Sequence, residues 1–414
     1  MNLKGKGSAA IAVVGAALLL AATTNALASG AQAAKSKGTI TILATAPVND
    51  AYYSAPQWLE AEKVFADWYN AHSGFGGYTV KIDTCDNLLS PAGAVTCAQQ
   101  AVTDNAVAMV GFALPNTTMM STLAAANIAW VPGDAATSVE TTSTDSFPVN
   151  QTAIYTTADL TALVVKDKCT SAGIMVLASA AGQGAVQAQQ LTANGISNNT
   201  ADVPATAVDQ TPYIQQLAKN QCLILTGVSN TVLPGIASAI TETGTHFAHI
   251  IATADMTTAI VQSAPSVWGN VQVGLATSDE SSPVWNIFHQ AVAKYSTIGG
   301  FDNAKAPFSQ PEGGWQAMVI LRNVIAHLAG ENKAVTAANV RGALTSNHAW
   351  PVDGSEAPVN FSKSLKIPGA PRIFNAQGFF AVVKNGKLVP GFGGKGINMA
   401  SIIGNQKASG PFFQ

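Results

Sequence analysis

Four short apolar segments, at residues 39–44, 78–83, 107–111 and 128–131, are separated from one another by helical patterns. That alternation restricts the chain to a parallel sheet covered on both faces, because each parallel crossover must carry its helix back over the sheet. In the first helical pattern Trp58, Ala61, Phe65 and Trp68 recur at helical spacing. Pro56 suits its first turn, Ser54 is placed before it, and Gln57 stands where it completes a capping box. The pattern stops at the Gly74-Phe75-Gly76-Gly77 turn. Helices are predicted over 92–103, behind Ser90-Pro91, and over 117–126.

The rhythm restarts after a Thr/Ser-rich stretch at 137–146. Strands are predicted at 173–177, 223–226 and 248–252, and helices at 156–166, 183–193, 212–219 and 233–241. Two α/β units therefore follow one another, without residue-level repetition. Beyond residue 280 the pattern is mostly helical, at 284–295, 315–329 and 337–344. The end is β-rich: 378–383 and 388–389 flank Lys384-Asn385-Gly386-Lys387, and Asn-Gly is a strong hairpin signal.

The N-terminus reads as an export signal. Lys4 and Lys6 precede an uncharged apolar run at 11–22, and Ala26-Leu27-Ala28 and Ala31-Gln32-Ala33 both have the small-x-small form of a cleavage site. The run is shorter than the ~20 residues of a membrane span. A signal peptide at 1–33 is expected, with no lipobox cysteine nearby. The remaining chain is long enough for two cores. Charged residues are 11% of the chain and the net charge is −2, so nothing draws it toward nucleic acid.

Four cysteines in an exported chain read as two disulfides. Cys85 closes the second strand and Cys97 lies in the helix after it. Cys169 directly precedes the strand at 173–177, and Cys222 opens the one at 223–226. If those two strands are parallel neighbours, their starts are close enough to bridge. The predicted pairs are Cys85–Cys97 and Cys169–Cys222.

Ligands of open parallel sheets sit beyond the carboxyl ends of the strands. The turns there are 46–54, 112–117 and Gly133-Asp134-Ala135-Ala136-Thr137. The latter two join small residues to hydroxyl or amide side chains near helix starts, where free N–H groups favour a carboxylate; helix capping by Asn116 and Thr137 is the plainer alternative. Catalytic and metal signatures are missing. No Gly-x-Ser-x-Gly, His-Glu-x-x-His or P-loop occurs, and His246 and His249 have no acidic or thiol partner at ligand spacing. Neither a metal nor a cofactor is expected.

Trp68-Tyr69-Asn70-Ala71, Asp86 with Ser90-Pro91, Ala98-Gln99-Gln100, Val110-Gly111 and Ala135-Ala136-Thr137 carry a resemblance. The helical segment from Gly313 and the terminal hairpin fit it in position. In order and spacing the mature chain resembles the extracytoplasmic solute-binding proteins of the Leu/Ile/Val-binding family, feeders of ABC importers with a type I periplasmic-binding fold. The resemblance implies two Rossmann-like lobes joined by a hinge, the first from 38–153 with 281–360 and the second from 154–280 with 361–414. It implies no catalysis, a bacterial extracytoplasmic location, a small-molecule solute, an ABC permease as membrane partner, and a monomer. A branched-chain or related amino acid would be the solute, its ammonium group at Ala135 and Thr137. Its carboxylate would meet the turn containing Leu114, Asn116 and Thr117. Tyr52 or Tyr53 matches a tyrosine of the first turn. In the second lobe Ala181 and Gln183 stand near the place of a family tyrosine, Val228 at a wall position, and Asp255 as the carboxylate facing an ammonium. Loss of that tyrosine leaves room for an aliphatic or aromatic carboxylate, an amide or another organic solute. A ligand-sensing receptor subunit of the same fold is the remaining alternative.

Overall fold

Neighbouring residues on each strand point to opposite faces, and in the first sheet both faces are apolar. The computed structural model describes residues 36–50, 53–72, 74–150, 156–204, 206–279, 281–299, 301, 310–355, 357–367 and 369–413. Strands β1 (Thr39–Ala46), β2 (Thr79–Asp86), β3 (Ala108–Gly111) and β4 (Ala129–Pro132) are all parallel, in the order β2-β1-β3-β4. Helices α1 (Pro56–Ala71), α2 (Pro91–Thr103), α3 (Thr117–Ala125) and α4 (Ser138–Thr142) accompany them. Ile42, Ala44, Val110 and Val131 face a core shared with α1. Leu43, Met109 and Trp130 face another shared with α2 and α3. Burial on both sides is what the apolar strands demanded.

The second lobe repeats the arrangement. It contains α5 (Thr157–Lys166), β5 (Ser171–Leu177), α6 (Ala181–Ala193), β6 (Ser197–Val203), α7 (Thr211–Leu217), β7 (Cys222–Thr226) and α8 (Leu233–Thr243). Then come β8 (His249–Ala252), α9 (Thr258–Ser263), α10 (Pro265–Trp268) and β9 (Gln272–Leu275). The chain next returns to the first core with α11 (Asn286–Tyr295), α12 (Gln310–Gly330) and α13 (Ala337–Thr345), which bury Phe288, Trp315 and Val340 there. It ends on the second sheet with β10 (Gln377–Lys384), β11 (Lys387–Pro390), β12 (Ile397–Asn398) and α14 (Ala400–Ile403). The order of that sheet is β11-β10-β9-β8-β7-β5-β6, with β12 also paired to β10. Strands β5 to β9 are parallel, whereas β10 is antiparallel to β9, β11 and β12.

Both disulfides form as predicted. Cys85 and Cys97 tie β2 to α2 with Cα atoms 5.6 Å apart. Cys169 and Cys222 are 6.3 Å apart, and β5 and β7 are the parallel neighbours this bridge needs. Other expectations shift. Ala55, not Ser54, takes the N-cap position of α1, and the Ser54 hydroxyl donates to the Val48 carbonyl at 2.5 Å. Strands β6 and β9 and helices α4, α9 and α10 were not evident in the sequence pattern. The predicted signal peptide lies outside the described residues.

Three passages connect the lobes, and side chains tie them together. Asn375 Nδ2 donates to the Val149 carbonyl at 3.4 Å, and the Ser278 N–H to that of Gly354 at 3.1 Å. The Arg372 guanidinium donates twice to the Ser146 carbonyl, at 3.0 and 2.7 Å, and lies 5.0 Å from the Phe147 ring centre and 4.6 Å from that of Phe374.

Candidate functional site

In each sheet the strand order reverses direction once, between β1 and β3 and between β5 and β7. The loops leaving adjacent strands there diverge to opposite faces and open a crevice at the carboxyl edge. In the first lobe that edge is aromatic. Tyr53, from the turn after β1, meets Phe112, from the turn after β3, at 5.7 Å between ring centres. Trp58, in the first turn of α1, lies 5.8 Å from Phe112. The Tyr53 N–H donates to Asp50 Oδ1 at 2.9 Å, which folds the turn back on itself.

Small residues bring α12 onto the same edge. A Cβ on Gly133 would overlap the backbone of Gly313, and one on Gly313 would overlap the Trp58 indole. The start of α12, including the buried Glu312, therefore packs directly beside the turn after β4. In the second lobe the turns after β5 and β7 touch similarly. Gly227 has φ of +57°, and a Cβ there would approach Ala180 Cβ to 2.6 Å and Gln183 Oε1 to 3.0 Å.

Three acidic side chains line these turns. Asp134 follows β4 by two residues; burial pushes its carboxyl up to about 7, opposed by a hydrogen bond from Asn150 and reinforced by Glu312 and Glu140. Its Oδ1 is buried without a hydrogen-bond partner. Asp255 follows β8 by three residues; burial raises it to about 6, against a weak bond from the Thr253 hydroxyl at 3.4 Å. It remains partly open to solvent although protein encloses most of its surroundings. Glu140 is fully buried and pushed up to about 7 by that burial, while four donors hold it. These are Trp130 Nε1 at 2.8 Å, the N–H groups of Ala136 and Thr137 at 2.8 Å each, and the Thr137 hydroxyl at 3.1 Å.

The Tyr53 hydroxyl joins the two lobes electrostatically. Burial raises it well above its ordinary value, and Asp255 and then Asp134 push in the same direction. An acid of the second sheet's edge thus acts electrostatically on a tyrosine of the first.

The other residues predicted for the site fall around this centre. Thr137 occupies the N-cap of α4 with its hydroxyl turned to Glu140, and Ala135 is buried just before it. Asn116 caps α3, its Oδ1 accepting from the Met119 N–H at 2.8 Å. Leu114 is half-buried and Thr117 exposed. Ala181 is exposed at the start of α6, Gln183 is half-buried, and Val228 is buried in the second lobe's core. Tyr52 lies outside the described residues. Sequence reasoning passed over Asp134, Trp58, Phe112 and Glu312. Asp134 was inside a turn already singled out, and its carboxylate was the available signal. Among the described residues no three His, Cys, Asp or Glu side chains are placed to hold a metal ion. No helix among them is long and apolar enough to cross a membrane.

Two α/β lobes, joined by three passages and presenting strand ends to one another, define a two-lobed binding protein of the type I periplasmic-binding fold. Residues 39–371 match the family model described as periplasmic binding protein, and the chain belongs to that family. The resemblance to its Leu/Ile/Val-binding members holds. Curated protein sequences yielded no match. Among solved structures, a substrate-binding periplasmic protein from Ralstonia solanacearum is 19% identical, with a TM-score of 0.67 over 85% of this chain and 100% of that one. A branched chain amino acid ABC transporter protein from Thermus thermophilus, with bound valine, gives 0.72 at 13% identity over 89% and 98%. A fatty acid ABC transporter substrate-binding protein from Thermomonospora curvata gives 0.66 at 15% identity over 88% and 94%. Such identities establish the common fold.

Proposed function

We propose that the chain is the extracytoplasmic solute-binding component of an ABC importer and captures an amino acid in the cleft between its lobes. The observation that carries this reading is the electrostatic effect of Asp255, beyond β8, on the buried Tyr53 hydroxyl, beyond β1. A carboxylate there suits an ammonium group, with the Ala135 carbonyl and Thr137 alongside it. The N–H groups at the start of α3, next to Leu114, Asn116 and Thr117, suit the solute's carboxylate. Ala181, Gln183 and Val228 would border the side chain, with Tyr53 at the opposite wall. Solute bridging the lobes would favour the closed form, and that form would dock on a membrane permease.

A second reading, a carboxylate or amide without an ammonium group, is favoured by the Thr137 hydroxyl being turned to Glu140 and by the exposed Ala181. Thermal unfolding against amino acids, aliphatic and aromatic carboxylates and amides separates the two. A solute at 100 times its Kd stabilises the protein by about 2.7 kcal/mol. Stabilisation by amino acids that disappears in Asp255→Asn supports the first reading. Stabilisation by solutes without an amino group replaces it with the second.

A further inference from the structure

We infer that Asp134 is a second solute-binding carboxylate and that the solute carries two cationic groups, as a basic amino acid or a diamine does. The inference rests on the amino-acid reading above and narrows its substrate class. Register places Asp134 at the site. Gly111 and Pro132 are paired at the ends of β3 and β4, so the turn bearing Asp134 leaves the sheet beside the one bearing Phe112. Phe112 in turn touches Tyr53 and Trp58. The Asp134 carboxyl takes one hydrogen bond, from Asn150, but its Oδ1 is buried without a partner, which leaves an acceptor position for a donor.

Charge balance then selects the solute. Asp134 and Asp255 both act on the Tyr53 hydroxyl, and the charged groups that act on Asp134 are the acids Glu312 and Glu140. With both acids ionised, one ammonium neutralises one of them and leaves the other with its dehydration uncompensated. A second cationic group supplies the missing partner. The rings of Tyr53 and Phe112, backed by the buried Trp58, would cover the apolar chain between the two groups and favour cations at their faces.

The test is titration calorimetry of the intact protein with lysine, norleucine and 1,5-diaminopentane. Norleucine matches lysine in length and lacks the second amine. Lysine is expected to bind about 10- to 100-fold tighter than norleucine, the span of one charge-assisted hydrogen bond. Asp134→Asn is expected to remove that preference, so that lysine and norleucine bind with the same Kd. Equal Kd for lysine and norleucine in the unaltered protein overturns the inference while the amino-acid reading stands. If none of these or other amino acids binds, that reading fails as well. Because the first comparison needs no variant, misfolding of Asp134→Asn does not obscure the result.

Discussion

Gly313 lies directly against the indole of Trp58, with no room for a Cβ between them. The contact joins α12 to α1 at the carboxyl edge of the first sheet, where Trp58 also supports Phe112. Gly313→Ala is therefore expected to displace the indole. Overpacking of this kind costs about 1–3 kcal/mol. Both the denaturation midpoint and solute affinity should fall. A variant that loses stability alone would show that Trp58 does not shape the cleft.

Solute-free stability should decrease as pH rises from about 4 to about 7. Burial raises Asp134 to about 7, Glu140 to about 7 and Asp255 to about 6. In that interval the folded protein holds protons that the unfolded chain has released, so alkali favours unfolding. Affinity for an ammonium-bearing solute should move oppositely, because the acids bind it only when ionised. Below pH 6 it should weaken by roughly tenfold per unit for each carboxylate that must lose a proton. Urea midpoints and calorimetric Kd values at pH 5 and 8 test the two trends separately.

Glu62, on α1, is completely buried and neither carboxyl oxygen has a hydrogen-bond partner. Burial pushes the group well above the ordinary carboxylate range. Glu62→Met, which removes both oxygens at similar volume, should stabilise the protein by about 1–3 kcal/mol. A lower melting temperature would mean that water or a rearranged neighbour satisfies the acid.

Arg372 should control lobe movement. Its guanidinium packs between Phe147 and Phe374 and donates twice to the Ser146 carbonyl. Arg372→Ala leaves that carbonyl short of donors and the two rings without their filling, costing about 2–4 kcal/mol. Hydrogen exchange should speed up at residues 145–150 and 372–376 before it does so in either sheet.

Much of the architecture was legible in local pattern. Ile42-Leu43-Ala44 is apolar at every position because both sheet faces are covered, and Trp58, Ala61 and Phe65 recur at helical spacing because α1 buries one stripe. The cysteine pairs were readable once β5 and β7 were taken as neighbours. Strand β6 was not, because it is an edge strand whose sequence Ser-Asn-Asn-Thr-Ala-Asp-Val is largely solvent-facing. Helix α4 was hidden in a Thr/Ser-rich stretch, where the signal was the Thr137–Glu140 capping box rather than apolar periodicity.

The site divides in the same way. Sequence alone determined which turns leave the carboxyl ends of the strands, since each turn is continuous with its strand. It also placed Tyr53, Ala135 and Thr137 in those turns, while Asp255 came from the family resemblance. Only the tertiary structure decided that Asp255 acts on Tyr53, that Asp134 carries an unpartnered oxygen, and that Thr137 is turned to Glu140. These contacts depend on the packing of segments far apart in the chain. Local propensity carries no information about which carboxylates, far from a tyrosine in the chain, will act on it in the fold.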